Sequence, residues 1–189
     1  MPGTAPSGPS SNLRPMDVRL AVASKRDARA MSGGSVPEDA ALRILDAGRL
    51  TGSARNRQPC RFVIAEGEAL PAVADAVYLA GNILDAGLVV AIVVTPGGNL
   101  VDFDAGRAAQ NMMLAGWAEG IASCPNGIAD RERLASALAI EPPERAVIVL
   151  SFGPPARPRD PARRSADEWS ARAPRLPLDA LVRRVGSSG

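Results

Sequence analysis

The sequence predicts an α+β fold in three layers, with helices on both sides of a central sheet. Two observations carry that expectation. Residues 88–95 and 146–152 are almost wholly aliphatic and rich in β-branched side chains. Each therefore reads as a strand buried on both faces, and such strands need helices above and below them. The helical and strand patterns also interleave without a strict βαβ repeat. Their order is helix, helix, strand, helix, strand, helix, helix, strand and then an arm.

Residues 1–16 hold four Pro, two Gly and three Ser. They cannot bury enough surface to order themselves and are expected to form a disordered tail. One domain follows over 17–186. A first helix is expected over 17–29, capped by Asp17. A second runs over 35–50, where Ser35, Pro37 and Glu38 form a capping-box start. Residues 61–65 read as a strand. Residues 102–119 read as a long helix, apolar around most of its circumference and so buried on several sides. Asp130 can cap a shorter helix over 131–139. Residues 154–186 hold eight Arg and six Pro and read as an extended arm ending in a short helix.

The 189 residues are 46% hydrophobic but only 3% aromatic, so the core is aliphatic. Histidine is absent. That excludes a Ser-His-Asp triad, a Cys-His dyad and any histidine metal site. Two cysteines, Cys60 and Cys124, cannot build a four-thiolate metal site, and they read as reduced thiols. A net charge of +2 does not argue for nucleic acid. The longest apolar run, 86–94, is far short of the roughly 20 residues a membrane helix needs. The N-terminus carries no apolar signal core, so a cytoplasmic protein is expected.

Phosphate loops of the G-x-G-x-x-G and G-x-x-x-x-G-K-[ST] kinds are absent, so any phosphate site must rest on arginines or a helix N-terminus. Four segments are candidates. Lys25-Arg26-Asp27-Ala28-Arg29 places three cations within five residues; in a helix, Lys25 and Arg29 would share a face. The polar loop 51–60 offers Ser53, Asn56 and Gln58 as uncharged hydrogen-bonding groups suited to a heterocycle. The small residues of 120–127 let backbone N–H groups approach a ligand. Cys124 within that segment has no histidine to activate it and reads as a packed, unreactive thiol. Arg172 and Arg175 flank a proline and could clamp a phosphate. Each segment alone is unremarkable: a solvated charged face, a connecting loop, a turn, a basic tail.

In this order the segments resemble the nitroreductase family of flavoproteins. Lys25-Arg26-x-x-Arg29 resembles the family's Arg-Arg-Ser-x-Arg. Ser53-x-x-Asn56-x-Gln58-Pro59-Cys60-x-Phe62 resembles Ser-x-x-Asn-x-Gln-Pro-Trp-x-Phe. Residues 104–114 resemble the central helix, and 120–127 the Gly-x-x-Ser-Cys loop after it. Arg175-Leu176-Pro177-Leu178-Asp179 resembles the terminal Arg-Lys-Pro-Leu-Asp. The likeness covers about 17–185. It departs at Cys60, where the family has Trp, and at Asp27, where Ser is common. An acidic residue at the latter position also occurs in flavin-consuming relatives that make dimethylbenzimidazole.

The resemblance implies a three-layer nitroreductase-like fold with a mixed central sheet flanked by helices. It implies a homodimer with FMN at the subunit interface and a C-terminal arm extending onto the partner. Lys25, Arg26 and Arg29 would face the FMN phosphate, ribityl chain and pyrimidine edge. Ser53 and Asn56, with Gln58 of the same loop, would line the isoalloxazine from the partner subunit. Asn82 would contact the flavin's polar edge. Ser123, Cys124, Asn126 and Gly127 would offer backbone groups near N5 and O4, and Arg172 and Arg175 would reach the phosphate. Asp27 would pair with Arg26 or Arg29.

The activity implied is hydride transfer from NAD(P)H through flavin N5 to an electron-poor small-molecule acceptor, nitroaromatic or quinone-like, by a ping-pong scheme. No side chain need act as acid or base, because the cofactor carries the chemistry. Two other readings follow from the same resemblance. One is an FMN-dependent dehydrogenase or oxidase like the family's cyclodipeptide-oxidising members. The other is a non-catalytic flavin-binding protein. A nucleic-acid role ranks last because stacking aromatics are scarce.

Overall fold

A computed structural model describes residues 16–98 and 100–186. The tail expected over 1–16 lies, apart from Met16, outside the described residues. Four strands form one sheet: β1 (Cys60–Ala65), β2 (Leu88–Val94), β3 (Ala122–Asn126) and β4 (Arg145–Gly153), in the order β1-β2-β4-β3.

The alternation of β2 builds both cores at once. Leu88, Val90, Ile92 and Val94 face one cluster, and Val89, Ala91 and Val93 face the other. Successive side chains of a strand point to opposite faces, so an all-aliphatic strand feeds two apolar layers. On the first face lie α2 (Glu38–Arg49) and the long α5 (Val101–Ala118), which contribute Ile44, Ala105, Ala108 and Met112. On the second lie α3 (Ala69–Asp75), α4 (Gly81–Leu84) and α6 (Arg131–Ala137), with Val73, Ile83 and Leu134. The three-layer α+β plan expected from the sequence is the observed one.

Several details differ. All three strand pairings are antiparallel, where a mixed sheet was expected. The cause is β4. It inserts between β2 and β3, which run the same way and are joined by α5 but never become neighbours. β3 lies in the segment that resembles a loop, since five residues containing Pro125 carry little strand signal. An edge position tolerates that proline, because it needs no N–H on its outer side.

The first helix, α1, spans only Val18–Ser24, with Asp17 accepting from Leu20 N as its cap. Residues 25–29 do not continue it. The backbone there is extended: Asp27 bridges to Ser123, and Ala28 N donates to Ser123 O at 3.0 Å. Nor does the capping box at Ser35 form; α2 starts after Pro37 with no side-chain cap. Pro37 takes the N-cap position, two residues beyond Ser35, and has no side-chain acceptor. A Cβ on Gly87 would lie 2.2 Å from Gly34 O and 2.7 Å from Val36 N, so the backbone before α2 is packed against it.

The arm also divides. Residues 161–163 make a 3-10 turn, α7 spans Ala166–Ala171 and a last short helix, α8, spans Leu178–Leu181. α7 packs on α1 of the same chain, where Asp167 pairs with Arg19. Trp169 is buried there. Residues 156–160 before the 3-10 turn and nearly all residues after α7 are exposed.

Candidate functional site

The extended segment 25–29 lies beside β3, and its alternation sorts its charges. Lys25 is buried. Its ammonium pairs with the Asp27 carboxylate and lies 3.3 Å from Met113 Sδ on α5. Asp27 pairs with Lys25, not with Arg26 or Arg29 as expected: residues two apart in an extended chain share a side, which places Arg26 on the other, and Arg29 makes no ion pair among the described residues. Arg26 is anchored through Nη1, which donates to Ala23 O at 2.8 Å and Lys25 O at 2.7 Å. Burial lowers its pKa, and the nearby Arg159 and Arg175 lower it further. Arg159 and Arg175 thus both lie near Arg26, and none of the three has an ion-pair partner among the described residues.

Two cavities adjoin Arg26. One, of about 350 Å³, is lined by Arg26, Arg29, Arg157 and Arg159, with Trp117 and Asp27. The other, of about 740 Å³, is lined by Lys25, Arg26 and Arg175 beside α1 and α7. Trp117 is fixed by its Nε1 donating to Ser24 Oγ at 2.9 Å.

On the β3 side a buried polar network forms. Asn126 Nδ2 donates to Cys124 O at 3.1 Å, Val149 O at 3.3 Å and Ser151 Oγ at 3.1 Å. Its Oδ1 accepts from Asn82 Nδ2 at 3.1 Å, and the same Asn82 nitrogen donates to Cys124 Sγ at 3.2 Å. Burial pushes the Cys124 thiol up, and the Asp27 charge adds to this. A thiol so placed holds little thiolate. Ser123 Oγ is fully buried without a partner among the described residues. Buried hydroxyls are nearly always satisfied, so an orphan on the residue that bridges to Asp27 is informative.

Ser53 and Gln58 lie elsewhere. They line a groove of about 470 Å³ between α2 and β1, together with Cys60 and Phe62. Ser53 Oγ accepts from Gln58 N at 2.8 Å. Arg55, Asn56 and Gln58 all have positive φ, an unusual density for residues other than glycine. Such backbone persists only where its surroundings over-determine it. No hydrogen bond, ion pair or cavity joins this loop to residues 25–29 among the described residues.

Of the other expected residues, Gly127 accepts from Tyr78 N at 3.1 Å through its carbonyl, next to Asn126. Arg175 is exposed but near Arg26, and Arg172 is exposed at the end of α7. Sequence reasoning missed Arg159 and Ser151. Arg159 was one of eight arginines in the arm. The one clue to it was Trp169, the arm's single aromatic residue.

The fold is that of the nitroreductases. The chain is similar to nitroreductase A from Vibrio parahaemolyticus, with a TM-score of 0.77 at 16% identity over 93% of this chain and 78% of that one. It is similar to a nitroreductase-like protein in complex with FMN from Desulfovibrio desulfuricans, with a TM-score of 0.75 at 25% identity over 92% of this chain and 100% of that one. A nitroreductase family protein from Clostridium difficile gives 0.74 at 21% identity, over 89% and 98%. No curated protein sequence matches. The Nitroreductase family model matches residues 96–154, the stretch from α5 through β4. The resemblance to the nitroreductase family read from the sequence is borne out by that match and by the fold.

Proposed function

We propose that this chain is an FMN-dependent oxidoreductase that works as a homodimer, passing hydride from NAD(P)H to an electron-poor acceptor such as a nitroaromatic or a quinone. The observation that carries this reading is a division. One protomer gathers Arg26, Arg29, Asn82 and residues 123–127 around one region. It leaves Ser53 and Gln58 on a separate groove, with Asn56 in the turn between them, as expected of a site completed by a second copy. FMN-bound neighbours with this fold support the cofactor. Two free thiols support a cytoplasmic setting.

The residues present fit FMN. The arginines without carboxylate partners suit its phosphate. The orphaned Ser123 hydroxyl and the acceptor left on Asn82 suit the polar edge of its ring. Bound FMN would supply the hydride chemistry itself. Arg26 and Arg175 would hold the phosphate. Arg29 would place positive charge where negative charge gathers on reduction. Asn82 would accept from a ring N–H, and backbone groups of 123–127 would orient the polar edge. Lys25 is committed to Asp27 and would act by neutralising that carboxylate within the site.

The visible spectrum of the purified protein, taken before and after anaerobic NAD(P)H, tests this. Flavin bands bleached by NAD(P)H are expected. Protein that stays colourless and cannot be reconstituted with FMN would overturn the reading.

A further inference from the structure

Arg159 belongs to no motif of the resemblance, yet it is held more firmly than a tail arginine. Its guanidinium carbon lies 5.6 Å from the centre of the Trp169 ring, and that of Arg164 lies 4.8 Å from it. Trp169 is itself fixed: it is buried against α1, and its Nε1 donates to Pro161 O at 2.9 Å. Stacking on an aromatic face restricts a guanidinium before any ligand arrives, which lowers the entropy lost on binding.

The neighbouring acids are already engaged. Asp17, in the wall of the larger cavity, accepts from Leu20 N at 3.3 Å. Asp160 accepts from Ala162 N at 2.8 Å, Asp167 pairs with Arg19, and Glu168 accepts from Ser165 N at 2.8 Å and Oγ at 2.9 Å. Asp27 is taken by Lys25. Arg26, Arg159 and Arg175 have no ion-pair partner among the described residues. Arg26 stands in the wall of both cavities, between Arg159 in one and Arg175 in the other. Its Nη1 is spent on two carbonyls, which leaves Nε and Nη2 to donate. Three guanidiniums without an ion-pair partner repel one another unless an anion joins them. A dianionic phosphate monoester offers enough acceptor oxygens for all three.

We infer that Arg159, stacked on Trp169, is the third arm of a clamp with Arg26 and Arg175 that binds the terminal phosphate of the flavin nucleotide. This rests on the flavin reading above and adds a residue to it. Arg164, which shares the Trp169 ring, is not part of the clamp and supports the ring from its own position.

Titrations of the full-length protein with FMN and with riboflavin, which lacks the phosphate, test this. Arg159→Gln should weaken FMN binding on the order of tenfold, the scale of one lost charge-assisted hydrogen bond. Riboflavin binding should stay within about twofold of the wild type, because nothing of the clamp touches it. Arg159→Lys should recover part of the loss, since it keeps the charge without the fork. Arg159 is exposed, so the variants should fold. Unchanged FMN affinity in Arg159→Gln, or equal weakening for FMN and riboflavin, would overturn the clamp and leave the flavin reading standing. Wild-type protein that binds neither flavin would overturn both. Wild-type protein that binds inorganic phosphate but takes FMN and riboflavin equally well would show a free-anion site and overturn the clamp alone.

Discussion

Asn126 determines which way round the amide of Asn82 sits. Two of the three acceptors around Asn126 Nδ2 are backbone carbonyls, which can only accept. The Asn126 oxygen must therefore face Asn82, and Asn82 must answer with its nitrogen. Its own oxygen has no hydrogen-bond partner among the described residues. A fold-level choice at the β3–β4 pairing is thus passed across two side chains to the candidate site. Replacing Asn126 with Leu should leave the Asn82 amide and two carbonyls short of partners. Unfolding in urea should show a loss of about 2–3 kcal/mol. A variant as stable as the wild type would mean that the network is not what holds α4 to β3.

Gly87→Ala should be severe for a different reason. The added methyl would meet the Gly34 carbonyl at 2.2 Å, and both contacts are backbone. The cost should reach or exceed about 3 kcal/mol, at the upper end for overpacking, because no side chain can swing aside. Gly48→Ala makes a useful contrast. Its new Cβ would meet Phe62 Cζ at 2.6 Å and Met112 Cγ at 2.9 Å, both side-chain atoms. Thermal unfolding should rank Gly87→Ala below Gly48→Ala; the reverse order would contradict the backbone contact.

The Cys124 thiol should resist alkylation. Its pKa is raised, by burial first and by Asp27 second, so thiolate is scarce at neutral pH. Raising the pH increases the thiolate fraction, so the rate should climb as pH rises towards the elevated pKa. At neutral pH, labelling followed by mass spectrometry should run at least about tenfold slower in folded than in unfolded protein. Rapid labelling of Cys124 in the folded protein would show that the thiol is activated after all.

Arg26→Ala should weaken FMN binding by about tenfold or more, because it removes the guanidinium common to both cavities. Equilibrium titration of the variant measures this. Affinity equal to that of the wild type would move the phosphate away from Arg26 and require another anchor.

The fold was legible where a single residue pattern decides it. The aliphatic runs of β2 and β4 could only be two-faced strands. The existence of α5 was legible but its surroundings were not: expected to be buried on several sides, it buries one face and leaves 102, 103, 106, 107, 110 and 111 exposed. β3 was not legible, because its five residues become a strand only by pairing with β4. The end of α1 was hidden for the same reason: residues 25–29 leave helical geometry to hydrogen-bond with Ser123, a partner 96 positions from Asp27. The site's residue types were visible as motifs. Their pairings were not. Nothing in Lys25-Arg26-Asp27 says which cation the carboxylate will take until the chain is known to be extended.

The extended run from Lys25 to Arg29 acts as a two-sided comb. The Lys25 ammonium turns to Asp27 and Met113, while the Arg26 guanidinium turns back to the carbonyls of Ala23 and Lys25. Inserting or deleting one residue after Ser24 would exchange the teeth, turning the buried lysine towards the arginines and an arginine towards Met113. Composition would hardly change, yet both the anion pocket and the neutralised carboxylate would be lost together. Spacing in this segment is therefore constrained as tightly as residue identity, and a length change of two would be tolerated better than a change of one.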